Sequence, residues 1–389
     1  LSRSRKNVRS PDSASPREWT LIVSGGGSGG HLFPALAVVE QLLLKTHRPS
    51  RILFLTADRE IDQRILTSAE METVSLPAID SHQFRRRPLR SLWAMSRSIL
   101  AARQLYRTLP SPVVLATGGY GSVPGGVAAW RNGIPMFLLE QNVVAGRATS
   151  CLSRLTRLVF TSFPDSDLER RSPKTTHWVG NPVRSEIAEL IDHPYDPERR
   201  VLLVLGGSQG AKAINQALGR FAREHRAELS GWKIFHHTGI TDAPAAEQVY
   251  RECGIQATVS PFFDNMPELY RQAGLVISRA GGTSLAELAC AGVPGILVPY
   301  PNSLRDHQQK NADRFVQAGG AVCVPQTTPD FEQHLMGELR RLMARSDERV
   351  RMSDAIRSLA RPNAAKEVAK AIVFFRKMSD QLDSDSPPE

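Results

Sequence analysis

The chain alternates short apolar runs with longer stretches of helical period. The runs WTLIVSG (19–25), RILFLTA (51–57), PVVLATG (112–118), IPMFLLE (134–140) and RLVFTS (157–162) occupy its first half. Near-continuous apolar runs of this length, separated by helix-length segments, predict parallel strands covered by helices on both faces. After GNPVR (180–184) comes IDHPYDPERR, a segment rich in proline and charge. The alternation then restarts with VLLVLGG (201–207), WKIFHHT (232–238), LVISRAGG (275–282) and GILVPY (295–300). Two doubly wound α/β domains are expected, with a boundary near residues 183–199 and ligands bound outside the carboxyl ends of the strands. Along the chain this reads as a tail at 1–17, a first domain at 18–184, a linker at 185–199 and a second domain at 200–348. Helical segments at 329–345 and 349–378 and an acidic tail at 379–389 complete it.

A length of 389 residues fits two hydrophobic cores, and 41% hydrophobic with 23% charged residues excludes a disordered or fibrous chain. The formal charge of +10 asks for an anionic partner. That charge is local. Residues 1–17 hold five basic groups and one acid, and the last ten residues return −4. Between Phe84 and Arg107 there are seven arginines and no acid, Arg85, Arg86, Arg87 and Arg90 among them. From Leu89 onward, Leu89, Leu92, Trp93, Ile99 and Leu100 follow helical spacing, while Arg90, Arg97, Arg103 and Arg107 fall on other faces. Such a helix either packs its apolar stripe into the core or lays it on a membrane surface. No apolar run approaches the ~20 residues of a spanning helix, and the N-terminal tail lacks a secretory apolar segment, so a cytoplasmic protein is expected. The four cysteines are far apart and without CxxC spacing, which points to reduced packing residues rather than a disulfide or metal framework.

Glycine-rich loops follow the strands. GGGSGGH (25–31) enters a helix with Pro34 in its expected first turn, and free N–H groups at such a start attract anions. Gly25, Gly27 and Gly30 satisfy G-x-G-x-x-G, yet Asp58 lies too far on to serve as the acid of a dinucleotide site. His31 ends this loop, where a neutral imidazole can take a proton from a hydroxyl nucleophile. GGSQGA (206–211) repeats the arrangement, with Ser208 serving either a phosphate oxygen or the helix N-cap. In SRAGGTSLAE (278–287), Thr283 and Ser284 can donate hydrogen bonds; Glu287 can accept two vicinal hydroxyls or complement the helix dipole. RDHQQKNA (305–312) and EQN (140–142) add amides suited to sugar hydroxyls.

The order and spacing of GGGSGGHLFPALAVVEQL, TGGYGSVPGGVAAWRNGIP, LLEQNVVAGRAT, VGNPVR, LVLGGSQGAKAIN, SRAGGTSLAELACAGVP and DHQQKNA resemble one family: the UDP-N-acetylglucosamine:muramyl-pentapeptide lipid N-acetylglucosaminyltransferases. The resemblance implies a GT-B fold of two Rossmann-like domains facing a cleft. It implies inverting transfer of N-acetylglucosamine from UDP-N-acetylglucosamine to the 4-hydroxyl of muramic acid on undecaprenyl diphosphate, at the cytoplasmic face of the inner membrane. By the same resemblance Ser28, Gly29, Gly30 and His31 lie at the diphosphate and acceptor side, with His31 the base. Asn142, Gln308 and Gln309 would meet sugar hydroxyls, Arg184 and the backbone near Phe263 the uracil, Ser208 a phosphate, and Glu287 the ribose. Gly282, Thr283 and Ser284 complete the donor site, and helix-start N–H groups stabilise the departing UDP. With an anionic membrane surface as partner, Arg85, Arg86, Arg87, Arg90, Leu92 and Trp93 become its contacts.

Three departures stand out. Leu139 replaces the histidine that precedes Glu-Gln-Asn in many relatives, which leaves any acceptor role to Glu140. Ser28 replaces a common threonine, and YPNSLR (300–305) is long enough to blur the register of Gln308 against Gln309. Neither metal nor cofactor is expected. A diacylglycerol glycosyltransferase or a UDP-sugar epimerase would share the donor loops but not TGGYGSVPGGVAAW and EQN. A nucleic-acid partner is disfavoured because the arginines are interleaved with aliphatic residues, and a dehydrogenase because glycine loops recur across two lobes.

Overall fold

A computed structural model describes residues 18–57, 59–77, 88–171, 174–207 and 210–384. Asp58, Arg85, Arg86, Arg87 and Ser208, the basic tail 1–17 and the end of the acidic tail lie outside the described residues. Two parallel sheets form the molecule. The first has the order β3-β2-β1-β4-β5-β6-β7: β1 Thr20–Ser24, β2 Arg51–Ala57, β3 Glu72–Leu76, β4 Val113–Ala116, β5 Met136–Glu140, β6 Leu158–Thr161 and β7 Thr176–Trp178. The second has the order β10-β9-β8-β11-β12-β13: β8 Val201–Leu205, β9 Lys233–His237, β10 Ala257–Ser260, β11 Leu275–Ser278, β12 Gly295–Leu297 and β13 Ala321–Cys323. Every residue of β1, β5 and β11 is buried, as sandwiching between helix layers requires.

The nine apolar runs become nine of these strands. The other four, β3, β7, β10 and β13, are the sheet edges. Their sequences ETVSL, THW, ATVS and AVC are short and half exposed, so no continuous apolar run marks them.

In the first lobe α1 (Gly29–Leu43) and α2 (Glu60–Ser68) cover one face, and α3 (Pro88–Arg107) with α4 (Val123–Arg131) the other. The second lobe carries α5 (Lys212–Glu224), α6 (Ala243–Glu252), α7 (Gly282–Ala291), α8 (His307–Gln317), α9 (Phe331–Ala344) and α10 (Ser346–Arg357). A last helix, α11 (Ala364–Ser384), crosses back and buries Ala365, Val368, Ala369 and Ile372 in the first lobe's core beside α1. The expected helical segment at 349–378 comprises most of α10 and most of α11, with Pro362, which cannot continue the hydrogen-bond ladder, in the break between them. The second of them runs to Ser384 rather than stopping at 378, with Arg376 paired to Asp380 (2.5 Å) across one turn.

Of the two directions expected for the apolar stripe of α3, most of it takes the outward one, with Ile99 partly buried against the core. The helix's inward face is Ser91, Ser98, Ala102 and Tyr106, with Ser98 donating to the Pro77 carbonyl (3.2 Å) and Tyr106 to that of Gly125 (3.1 Å). Leu89, Leu92, Trp93 and Leu100 face outward, Leu89 at 81% and Trp93 at 63% exposure, and Trp130 of α4 is also exposed. Among the described residues no helix is long and apolar enough to cross a membrane.

Candidate active site

The first glycine loop leaves β1 and is shaped by close contacts. A Cβ on Gly25 would stand 1.8 Å from Thr117 Oγ1, and Gly25, Gly26 and Gly27 all have positive φ. The Asp62 carboxylate on α2 fastens the loop from outside, accepting from the Gly27 N–H at 2.7 and 2.9 Å. Burial raises the Asp62 carboxyl above its ordinary range. No motif announced this residue.

α1 starts at Gly29, so Pro34 sits in its second turn rather than the expected first. Having no N–H, Pro34 cannot bond the carbonyl four residues back, that of Gly30. Thr283 Oγ1 of the second lobe donates to that carbonyl instead, at 2.9 Å.

His31 Nδ1 lies 2.9 Å from the Thr117 carbonyl and 3.2 Å from Gln141 Oε1. Both are acceptors, so Nδ1 carries the hydrogen and Nε2 presents a bare lone pair. Burial lowers the His31 pKa from 6.5, which keeps the ring neutral. A Cβ on Gly119 would stand 3.1 Å from Nε2, so glycine there preserves access to it.

Glu140 is turned into its own loop. Its buried carboxylate accepts from the Asn142 N–H (2.9 Å) and Nδ2 (3.1 Å), with further bonds from Thr149 and Gly146. Burial pushes its pKa up to about 7. Those bonds tie that loop down, and Glu140 lines neither of the two cleft cavities. Leu139 packs into the first lobe's core.

Two cavities occupy the cleft. The larger, about 600 Å³, is lined by Phe33, Arg64, Arg184, Phe263, Tyr270 and Glu287, and also by Gly29, Thr283 and Ser284. Glu287 accepts from the Tyr270 hydroxyl (2.9 Å) and pairs with Arg184 (3.7 Å), whose guanidinium lies 4.8 Å from the Phe33 ring centre. Burial raises the Glu287 pKa, with Arg184 and Tyr270 opposing the shift. Phe263 is held edge-on by Phe235 (6.1 Å).

The smaller cavity, about 330 Å³, brings Ser28, Gly30, His31, Asn142, Gly282, Ser284 and Gln308 together with Arg279. Gly282 lets the start of α7 touch the first lobe, since a Cβ there would stand 1.8 Å from the Gln141 carbonyl oxygen. Arg279 was overlooked in the sequence although it sits inside SRAGG at the end of β11. It donates to the Val298 carbonyl (3.1 Å), no carboxylate among the described residues pairs with it, and burial lowers its pKa.

Consecutive residues Arg305 and Asp306 have φ of 54°, an unusual left-handed pair that sets the start of α8. Gln308 then faces the cleft and accepts from the Tyr300 N–H (2.9 Å). Gln309 turns to Asp313 (2.8 Å) and Cys323, so its expected sugar contact is not supported. Asn311 is fully buried and crosses between lobes: it accepts from the Val143 N–H (3.0 Å) and donates to Asn142 Oδ1 (3.0 Å). Thr283 also has its hydroxyl hydrogen engaged, donating to Gly30 and accepting from Asn181 Nδ2 at 3.0 Å, while it lines both cavities. Among the described residues no cluster of His, Cys, Asp or Glu could hold a metal ion.

Residues 21–161 match the glycosyltransferase family 28 N-terminal domain and residues 201–370 the family 28 C-terminal domain. A UDP-N-acetylglucosamine–N-acetylmuramyl-(pentapeptide) pyrophosphoryl-undecaprenol N-acetylglucosamine transferase of Stutzerimonas stutzeri is 37% identical over 355 residues, covering 90% of this chain and 96% of the relative. One of the same name from Acidithiobacillus ferrooxidans is 37% identical over 362 residues, covering 91% and 97%. The crystal structure of Acinetobacter baumannii MurG superposes with a TM-score of 0.65 at 29% identity, covering 91% of this chain and 98% of that one. A UDP-GlcNAc 2-epimerase of Neisseria meningitidis reaches 0.65 at 14% identity, covering 91% and 99%, a likeness of fold alone. The chain belongs to glycosyltransferase family 28, and within it to the UDP-N-acetylglucosamine–N-acetylmuramyl-(pentapeptide) pyrophosphoryl-undecaprenol N-acetylglucosamine transferases.

Proposed function

We propose the following division of labour for a protein that transfers N-acetylglucosamine from UDP-N-acetylglucosamine to lipid-linked muramyl-pentapeptide. The muramyl 4-hydroxyl enters the smaller cavity and gives its proton to His31 Nε2 as its oxygen attacks the anomeric carbon. The bond from that carbon to the UDP oxygen breaks on the opposite face, which inverts the centre. A placed base of this kind is worth roughly 10²- to 10⁴-fold. The negative charge on departing UDP meets the N–H groups starting α7, the Ser284 hydroxyl and Arg279, with Ser208 assigned to the same phosphates. Glu287 takes the ribose hydroxyls, Arg184 and the backbone at Phe263 the uracil, and Asn142 with Gln308 the sugar. The observation that carries this reading is the locked tautomer of His31 at the mouth of two glycine loops.

The outward stripe of α3 supplies the route to a membrane-borne acceptor. Leu89, Leu92 and Trp93 would enter the interface of the inner membrane's cytoplasmic face while Arg90, with Arg85, Arg86 and Arg87, meets anionic headgroups. The test is transfer of radiolabel from UDP-N-acetylglucosamine to an undecaprenyl-diphosphate-linked muramyl-pentapeptide, beside a diacylglycerol acceptor. Label on the muramyl lipid alone is expected. Label on diacylglycerol alone would refute the acceptor.

A further inference from the structure

We propose that Thr283, bonded to a Gly30 carbonyl that Pro34 leaves open, is a positioning residue that couples the second lobe to the placement of His31. Inside a helix the Gly30 carbonyl would ordinarily accept from the N–H of residue 34. Proline removes that donor and leaves a carbonyl that needs another partner. Thr283 provides it at 2.9 Å, across the lobe boundary. The same hydroxyl accepts from Asn181 Nδ2 at 3.0 Å, and Asn181 belongs to the crossing segment between the lobes. With Asn181 on one side and Gly30 on the other, the hydroxyl hydrogen has one direction, toward Gly30. The bond from Asn181 is buried and holds the hydroxyl in place, while the bond to Gly30 lies partly buried at the cavity wall.

Position gives this relay its consequence. Thr283 is the second residue of α7, whose first turn lines the cavity assigned to the donor phosphates. Gly30 is the residue before His31. A shift of α7 on donor binding or release is therefore carried by one hydrogen bond to the backbone beside the base. The proline does not shape the start of the helix; it keeps one carbonyl open for the other lobe.

The proposal rests on the assignment of His31, and a mutant cycle separates the two. Thr283→Val keeps the shape and removes the hydroxyl; Pro34→Ala returns the competing N–H. Each is expected to lower kcat, Thr283→Val by about ten- to a hundredfold, because displacement of a reacting group by about 1 Å costs up to 10²-fold. UDP affinity measured by calorimetry should stay within about twofold, and Thr283→Ser should restore most of the turnover. Because both substitutions break one bond, the double variant should be no slower than Thr283→Val alone. Additive losses, wild-type turnover in Thr283→Val, or a fall in UDP affinity as large as the fall in kcat would overturn the relay. If Thr283→Val lowers its melting temperature, the Ser variant and Pro34→Ala still decide. The cycle reads coupling between two substitutions whichever residue is the base, so failure of the His31 assignment would show in His31→Ala and not here.

Discussion

Glu287 shows how a single side chain can be held ready for a ligand. Its carboxylate is removed from water, which raises its pKa, and Arg184 with Tyr270 keeps one oxygen each occupied. Two vicinal hydroxyls from a ribose would relieve that desolvation. Glu287→Ala should therefore weaken UDP itself by about ten- to a hundredfold, the loss of one or two hydrogen bonds to a charged group. Unchanged UDP affinity in calorimetry would remove the ribose role. At this scale the sequence disclosed which residues reach the cleft: His31, Asn142, Glu287 and Gln308 all line it. It did not disclose which way a side chain turns. Glu140, Gln309 and Thr283 carry suitable groups on suitable elements, yet each is already bonded: Glu140 to Asn142 in its own loop, Gln309 to Asp313 one helical turn on, and Thr283 to Gly30 across the lobes. Asp62 is the converse case, an ordinary acid in a helix until α2 lays it against Gly27.

Among the elements, the inner strands were readable because burial on both faces demands uninterrupted apolar sequence. The edge strands were not, since half of each faces solvent and polar residues suffice. In α3 the apolar spacing was legible but its direction was ambiguous. Close packing of Ser91 and Ser98 on the inner side decides it. Replacing Leu92 and Trp93 together with serine should reduce sedimentation with both anionic and neutral vesicles by about tenfold or more, from the apolar area no longer inserted. Arg90→Ser should reduce sedimentation with anionic vesicles only, by a smaller factor, near 1 kcal/mol per charge. Both variants should melt as the wild type does, because the replaced side chains are exposed. Equal binding of all three proteins to anionic vesicles would refute membrane contact through this face.

For the whole molecule, the cleft is a property of two sheets held in one relation. α11 returns from the second lobe to the first lobe's core, and Asn311 pins the loop at Asn142 and Val143 to α8. Asn311→Ala should raise the KM for UDP-N-acetylglucosamine several-fold, by releasing Asn142, while the affinity for UDP alone stays constant. A parallel loss of both affinities would instead place Asn311 in support of the nucleotide. Two domains and their order were legible from apolar periodicity. The returning helix and the cross-lobe bonds were not, because pairs such as Asn142 with Asn311 or Gly30 with Thr283 lie far apart in sequence and share no local pattern.

The claim on which these statements converge is that neutral His31, fixed with its hydrogen on Nδ1, removes the acceptor proton. The most direct test is the kcat of His31→Ala set against its affinity for UDP, with the wild-type kcat followed through acid pH. In His31→Ala, kcat is expected to fall roughly 10²- to 10⁴-fold with UDP binding preserved. In the wild type, activity should be lost only as pH drops through a midpoint below 6.5, where the buried imidazole finally protonates. Wild-type-like kcat in His31→Ala would contradict that claim.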